Sequence, residues 1–260
     1  NILANTLIAS SGIYENVFIH PATGDEGLSF GAAMMVAHRL GVKVDLPTNL
    51  ATVGPSYSNE QAAAVIKSCK DIDYRECFAS DDDLYNTVAD ALQENKIVAW
   101  FQGCSEYGPR ALGNRSIFAN PGFDNKDLLN TKVKHRESWR PYAAIMLQED
   151  LHEWVDIPRE MSEYMLFASS IKSNKTWIVP GIVHKDKSCR IQSVTPELNY
   201  RAYRLLEAFN ARTDIPMLLN TSFNTIPGEP IVETPYDAIR SFLHSNIDLL
   251  VINDFIITKK

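Results

Sequence analysis

The sequence predicts an α/β protein, a mixed twisted sheet with helices packed on it, preceded by the remnant of a second α/β domain. Three observations point there. Apolar runs of strand length, such as Ile97-Val98-Ala99-Trp100-Phe101, alternate with longer segments whose apolar residues recur at helical spacing. Polar loops begin where those runs stop, the place where α/β sheets carry function. A stretch rich in Pro, Ser, Thr and Asn, from Leu46-Pro47 to Pro55-Ser56-Tyr57-Ser58, interrupts the pattern and reads as an interdomain linker. The expected organisation is a first unit over residues 1–45, a linker over 46–71 and a main domain over 72–260.

Residues 28–40 read as a helix whose small residues Gly31, Ala32 and Ala33 permit close packing, with Gly41 ending it. Asp25 sits at the turn before it, where a carboxylate is an ordinary cap more often than a ligand. Ser58 or Asn59 caps a short helix carrying Ala62, Ala63, Val65 and Ile66. A clearer helix follows, with Ser80 as its cap, Asp81-Asp82-Asp83 facing the positive end of the dipole, and Leu84, Val88 and Leu92 on one face. The dipole suffices to explain the three aspartates, because consecutive residues point different ways around a helix and do not converge on a metal.

Residues 97–101 form a buried strand, and 126–134 a helix carrying Leu128 and Leu129. Lys134 and Arg136 emerge at its end and share a face if the chain is extended there. Strands are predicted at 143–147 and 178–184, the second leading to His184, Arg190 and Gln192 as weaker site candidates. A helix over 197–212 presents Tyr203, Leu206 and Phe209, and Met217-Leu218-Leu219 is a short strand that delivers Asn220, Thr221, Ser222 and Asn224 into a polar loop. Thr234-Pro235 starts another helix, and Leu249-Leu250-Val251-Ile252 with Phe255-Ile256-Ile257 closes as a hairpin.

The loop after residue 101 concentrates the chemistry. From Gly103 to Ser116 it interleaves glycines with Arg110, Arg115 and Glu106, a composition suited to holding an anion. Between Gly103 and Pro141 seven basic residues, Arg110, Arg115, Lys126, Lys132, Lys134, Arg136 and Arg140, face four acidic ones, a local net charge of +3 in a chain of net charge -7. Positive charge focused in this way fits a small phosphorylated ligand better than a nucleic acid. Gly108, Gly113 and Ser116 approach the spacing of a P-loop, but Asn114-Arg115 stands where its single lysine belongs and Pro109 removes a backbone donor.

With 260 residues and 45% hydrophobic content the chain can bury a sizeable core. No run approaches a membrane span and no signal segment opens the sequence, so the expectation is a cytoplasmic protein. Cys69, Cys77, Cys104 and Cys189 lack Cys-x-x-Cys pairing and zinc-ligand spacing, which argues for reduced packing residues.

Taken together, Glu106-Tyr107-Gly108-Pro109-Arg110-Ala111-Leu112-Gly113-Asn114-Arg115-Ser116-Ile117 with Asn120-Pro121 resembles the hallmark of the carboxy-terminal domain of O-carbamoyltransferases, enzymes that carbamoylate nodulation factors and antibiotics. Leu129-Asn130-Thr131-Lys132-Val133-Lys134-His135-Arg136-Glu137, Arg140-Pro141-Tyr142-Ala143, Leu219-Asn220-Thr221-Ser222-Phe223-Asn224 and Gly228-Glu229-Pro230-Ile231-Val232 resemble the same family in order and spacing. The pairs Lys134/Arg136 and Ser222/Asn224 are similar to the substrate-binding signatures of YrdC-like domains. Asn1, Asn5 and Gly24-Asp25-Glu26-Gly27 with Gly31-Ala32-Ala33 resemble the end of the actin-like (ASKHA) transferase domain that precedes the YrdC-like domain in these enzymes. Cys104 departs from the pattern, standing where many relatives carry a basic residue.

The resemblance implies a YrdC-like fold over 72–260 that forms carbamoyl-adenylate from ATP and carbamoyl phosphate, with Mg²⁺ accompanying ATP. It implies catalytic roles for Lys134, Arg136, Arg110 and Arg115, and substrate or nucleotide contacts for Arg140, Ser222, Asn224, Thr221, Asn220, His184 and Arg190. In the amino-terminal piece it implies binding roles for Asn1, Asn5 and Gly27, and makes Asp25 one ligand of a divalent metal, such as iron, held only by the full-length enzyme. The chain then looks like a fragment that retains the adenylating half-reaction and lacks the transfer of the carbamoyl group to a sugar or antibiotic-like hydroxyl. An RNA-binding YrdC-like module without adenylating activity is the alternative, and the acidic total charge weighs against it.

Overall fold

The computed structural model describes residues 1–77, 81–160 and 162–260. The Ser80 cap proposed above lies outside them. In chain order the elements are α1 (Ile2–Ser10), α2 (Gly27–Arg39), α3 (Asn59–Ser68), β1 (Ile72–Glu76), α4 (Asp81–Gln93), β2 (Val98–Phe101), β3 (Arg115–Ala119) and α5 (Lys126–Leu128), which runs into a π-turn at Leu129–Val133. There follow β4 (Ala143–Leu147), α6 (Leu151–Trp154), β5 (Val155–Asp156), β6 (Ser169–Ile171), β7 (Ser188–Cys189), β8 (Ile191–Val194), α7 (Pro196–Thr213), β9 (Met217–Ser222), α8 (Pro235–Leu243), β10 (Leu249–Ile252) and β11 (Phe255–Lys259).

Among the described residues eight strands form one sheet in the order β1-β11-β10-β2-β3-β9-β4-β8, and β5, β6 and β7 form a small second one. The large sheet is mixed, as the sequence predicts: β10 pairs with β2 and β4 with β8 in parallel, the other ladders being antiparallel. Helix α4 packs along α7, α7 lies on β4, β8 and β9, and α8 lies on β2 and β10.

Local chemistry accounts for most boundaries. Ser58 and Gln61 make a reciprocal capping box at α3, and Thr234 and Asp237 make another at α8, whose first residue is Pro235. Helix α7 buries Ala202, Leu205, Leu206 and Phe209, while Tyr203 sits at the margin and donates to Glu149 at 2.7 Å. Leu84, Val88 and Leu92 of α4 are buried as their spacing requires. Leu92 is 0% exposed in the main core, so Leu92→Ala is expected to lower the unfolding free energy by about 2–5 kcal/mol in urea denaturation.

Four expectations are corrected. Residues 178–184 form consecutive turns rather than a strand: Pro180-Gly181 breaks the run, Gly181 N–H is taken by Pro121, and Val179 and Ile182 reach the core from turns. The polar loops around residues 116 and 221 are largely strand, since β3 and β9 pair from Ser116↔Ser222 to Ala119↔Leu219. The helix over 126–134 is one α-turn followed by the π-turn. Finally, Lys134 and Arg136 do not alternate on an extended chain, because His135 between them is left-handed at φ 47°. Helix α1, strands β1 and β8 and the small sheet are additional to the predicted elements.

Candidate active site

The loop from Gly103 to Asn114 does hold an anion, and the anion is its own. Glu106 Oε1 accepts the backbone N–H groups of Leu112, Asn114 and Arg115 at 2.7, 2.8 and 3.2 Å, filling the nest that the glycine-rich turn creates. Burial pushes this carboxyl above the usual range, opposed by those three donors and by Arg115. Gly113 is required here: its φ is +101°, and a Cβ would stand 2.9 Å from Asn199 Nδ2 and 3.1 Å from Ile145 Cδ1.

The far side of the same loop is stitched to the sheet. Gln192 of β8 donates to Leu112 O at 2.8 Å, Asn220 of β9 to Ala111 O at 3.2 Å, and Asn199 at the start of α7 to Asn114 Oδ1 at 2.9 Å. Arg115 is 0% exposed and donates to the carbonyls of Gln102, Gly103, Asn114 and Pro55 while stacking 3.6 Å above Phe101. Its guanidinium ties strands β2 and β3 to the segment read as a linker, and does not line the cationic pocket described next.

That pocket, of about 300 Å³, lies between the loop and β9. Arg110, Arg136 and Arg190 line it together with Asn220, Thr221, Ser222 and Tyr142, and no Asp or Glu is among its lining residues. Arg110 Nε and Arg190 Nε are buried without a partner. Burial, then the charges of Arg110 and Arg136, push Arg190 down to about 10; burial lowers Arg110 as well, opposed by the charge of Glu26, which lies outside the pocket lining. Three guanidiniums without a lining carboxylate make a site whose electrostatic cost is offset when a polyanion enters.

Lys134 sits behind Ser222. Its Nζ donates to Ser222 O and Oγ at 2.7 and 3.1 Å and to Asn224 O and Oδ1 at 2.8 and 2.5 Å, so the Lys-x-Arg and Ser-x-Asn signatures meet in one cluster. Burial, with Arg136 adding like-charge repulsion, pushes Lys134 down to about 7. The four oxygens around Nζ favour the ammonium, and an arriving anion favours it further. The left-handed turn at His135 lets the two cations diverge, Lys134 toward β9 and Arg136 into the pocket.

A second cavity of about 410 Å³ shares Pro109 and Ser222 with the first and adds Glu106, Arg115, Asn224, Glu233 and the apolar wall Pro230-Ile231-Val232. The remaining candidates lie elsewhere. Arg140 pairs with Glu137 at 2.8 Å, half exposed. His184 bonds Ser188 Oγ and Tyr142 O in a different cavity, and burial lowers its pKa.

At the amino terminus Asn1 caps α1, Asn5 donates to Leu166 O at 2.9 Å, and Gly27 approaches Ala22 too closely for a Cβ. Asp25 is exposed before α2, and among the described residues no group of three or more His, Cys, Asp or Glu is placed to hold a metal.

Tyr142, Asn130 and Glu106 are site residues that carried no assigned role in the sequence reading. All three fall inside the motifs of the resemblance, and only the fold shows what each one touches.

Residues 89–259 match the family described as "Carbamoyltransferase C-terminus". Nodulation protein NolO of Bradyrhizobium diazoefficiens is 37% identical over 268 residues, covering 100% of this chain and 48% of that protein. Nodulation protein NolNO of Sinorhizobium fredii is 36% identical over 267 residues, covering 100% and 38%. The 3'-hydroxymethylcephem-O-carbamoyltransferase of Amycolatopsis lactamdurans is 30% identical over 256 residues, covering 96% and 45%. The chain thus spans less than half the length of each of these relatives.

Proposed function

The chain belongs to the carbamoyltransferase family through the carboxy-terminal domain at residues 89–259, and from that premise we propose that this domain makes carbamoyl-adenylate from ATP and carbamoyl phosphate. The observation that carries this reading is the pocket in which Arg110, Arg136 and Arg190 converge with no lining carboxylate, beside Lys134, Ser222 and Asn224. In the longer protein, residues 1–45 belong to an actin-like domain where the carbamoyl group passes to a hydroxyl of a small acceptor; Asn1, Asn5, Gly27 and Asp25 serve that domain.

The balance of the reaction needs one water, which splits carbamoyl phosphate to carbamate and phosphate. A carbamate oxygen then attacks the α-phosphorus of ATP, and pyrophosphate leaves. Negative charge builds on the non-bridging oxygens and on the departing pyrophosphate, and fixed cations already aimed at that volume stabilise both. Arg110, Arg136 and Arg190 bind phosphoryl oxygens through their planar forks, Lys134 supplies a point charge, and Thr221 donates a hydroxyl hydrogen bond, the Ser222 hydroxyl being given to Asn224 Oδ1 at 2.7 Å. The pocket offers no carboxylate set for Mg²⁺, so the ion belongs to the nucleotide substrate as its phosphate complex and no step is assigned to it.

The test is pyrophosphate release by this chain from ATP and Mg²⁺, with and without carbamoyl phosphate. Release that requires carbamoyl phosphate is expected. Absence of release together with salt-sensitive RNA binding would favour the module reading instead. Among the described residues no helix is long and apolar enough to cross a membrane.

A further inference from the structure

Many arginines of this protein are held by carboxylates: Arg140 by Glu137 at 2.8 Å, Arg201 by Asp254 at 2.8 Å and Arg212 by Asp90 at 2.5 Å. Arg136 is held by a neutral amide. Its Nε donates to Asn130 Oδ1 at 2.7 Å, and its guanidinium stands 4.8 Å over the Tyr142 ring. Asn130 is 0% exposed, inside the π-turn, a rare element frequent at functional sites.

Every hydrogen-bonding position of the Asn130 side chain is used. Nδ2 donates to Ser138 O and Arg140 O, both at 3.0 Å, and Oδ1 accepts from Arg136 Nε and from Tyr142 OH at 2.6 Å. Its backbone carbonyl also accepts the Arg136 N–H at 2.9 Å. Two carbonyls on one side and two donors on the other leave the amide a single orientation, since a flip would set N–H against N–H. The loop from Lys134 to Tyr142 is therefore folded around this one side chain.

We infer that Asn130 is the positioning residue of the anion site: its neutral oxygen aims the Arg136 guanidinium into the pocket without adding a negative charge beside it, and so keeps the cation available to a phosphate-type ligand. A carboxylate at the same place would satisfy Nε equally well, but would neutralise the cation and repel the carbonyls of Ser138 and Arg140. An amide holds both sides. With Nε occupied, the two Nη groups remain as the fork that meets a phosphoryl group. The inference rests on the proposed function only in taking the ligand to be a phosphate anion.

Asn130→Asp changes one atom of the side chain, and pyrophosphate binding followed by calorimetry is the readout. Affinity at pH 8 is expected to fall at least about 30-fold, by cancelling a half-buried cation that the ligand needs. The salt dependence of binding should fall with it, because one fewer free cation is screened; a purely structural weakening would leave that dependence unchanged. Asn130→Ala removes the same donors without adding charge and should lose less affinity than Asn130→Asp. Equal losses in the two variants, or unchanged binding in Asn130→Asp, would overturn the inference.

If Asn130→Asp does not fold, the cycle of Asn130→Ala with Arg136→Ala decides: the double variant should bind no more weakly than Arg136→Ala alone, and additive losses would overturn the assignment. Wild-type protein that binds pyrophosphate but releases none from ATP and carbamoyl phosphate sinks the adenylating reading and leaves Asn130 in its role. Wild-type protein that binds no phosphate anion removes both.

Discussion

Replacing Lys134 with alanine is expected to abolish carbamoyl-phosphate-dependent pyrophosphate release, a loss of at least about 10²–10³-fold, the scale for removing a preorganised charge from a transition-state site. The side chain does two things at once. Its ammonium supplies a cation behind Ser222, and its donors bind the carbonyls of Ser222 and Asn224, holding the end of β9 against the turn that follows. The position of its titration adds a second, independent expectation. Because burial and Arg136 push Lys134 down to about 7, the free protein carries this charge below that pH and loses it above.

The sign follows directly. Anion affinity in the unliganded protein should weaken as pH rises through about 7, where an ordinary lysine would show no change until about 10. Pyrophosphate titrations between pH 6 and 9 check this as the difference between wild type and Lys134→Ala, the variant's profile recording the ionisation of the ligand itself. A wild-type profile parallel to that of the variant, or full turnover in the variant, would remove Lys134 from the site.

Glu106→Ala is expected to destabilise the fold by about 3–5 kcal/mol, the cost of stripping a buried charge of its partner. Three backbone N–H groups lose their acceptor, and the buried Arg115 loses the carboxylate that, ahead of Glu233, most offsets its charge. Collapse of the nest would also shift Arg110, which the same turn carries toward the pocket. Urea denaturation should show a lower midpoint at unchanged slope. Glu106→Gln keeps an oxygen for the N–H groups and should lose less. A stability within about 1 kcal/mol of wild type in the alanine variant would mean that the loop is not organised by this carboxylate.

These two residues show where sequence reasoning reached and where it stopped. Composition around residues 103–116 is legible as a loop for an anion, yet nothing in it says whether the anion is a ligand or a neighbouring glutamate. That depends on where the N–H groups of Leu112, Asn114 and Arg115 point, a property of backbone torsions. Likewise, the resemblance marks Lys134/Arg136 and Ser222/Asn224 as two signature pairs, while only the structure shows that Lys134 joins Ser222 and Asn224 and that a left-handed histidine separates it from Arg136. Alternation along an extended chain would have set both on one face; one positive φ sends them apart.

What the sequence determined by itself are the features whose causes are local. Capping boxes at Ser58 and Thr234, the apolar stripes of α4 and α7, the buried runs of β2, β4 and β10 and the focus of positive charge between Gly103 and Pro141 depend on neighbours a few residues away. The tertiary structure alone decided which polar residues are spent on the fold and which line the cationic pocket. Arg115 and Arg110 stand five positions apart in one motif, yet one is locked to four carbonyl groups in the core and the other opens onto the pocket. The physical reason is that burial and hydrogen-bond partnership come from strands and loops distant in sequence, here β8, β9 and the segment around Pro55, whose approach no local pattern encodes.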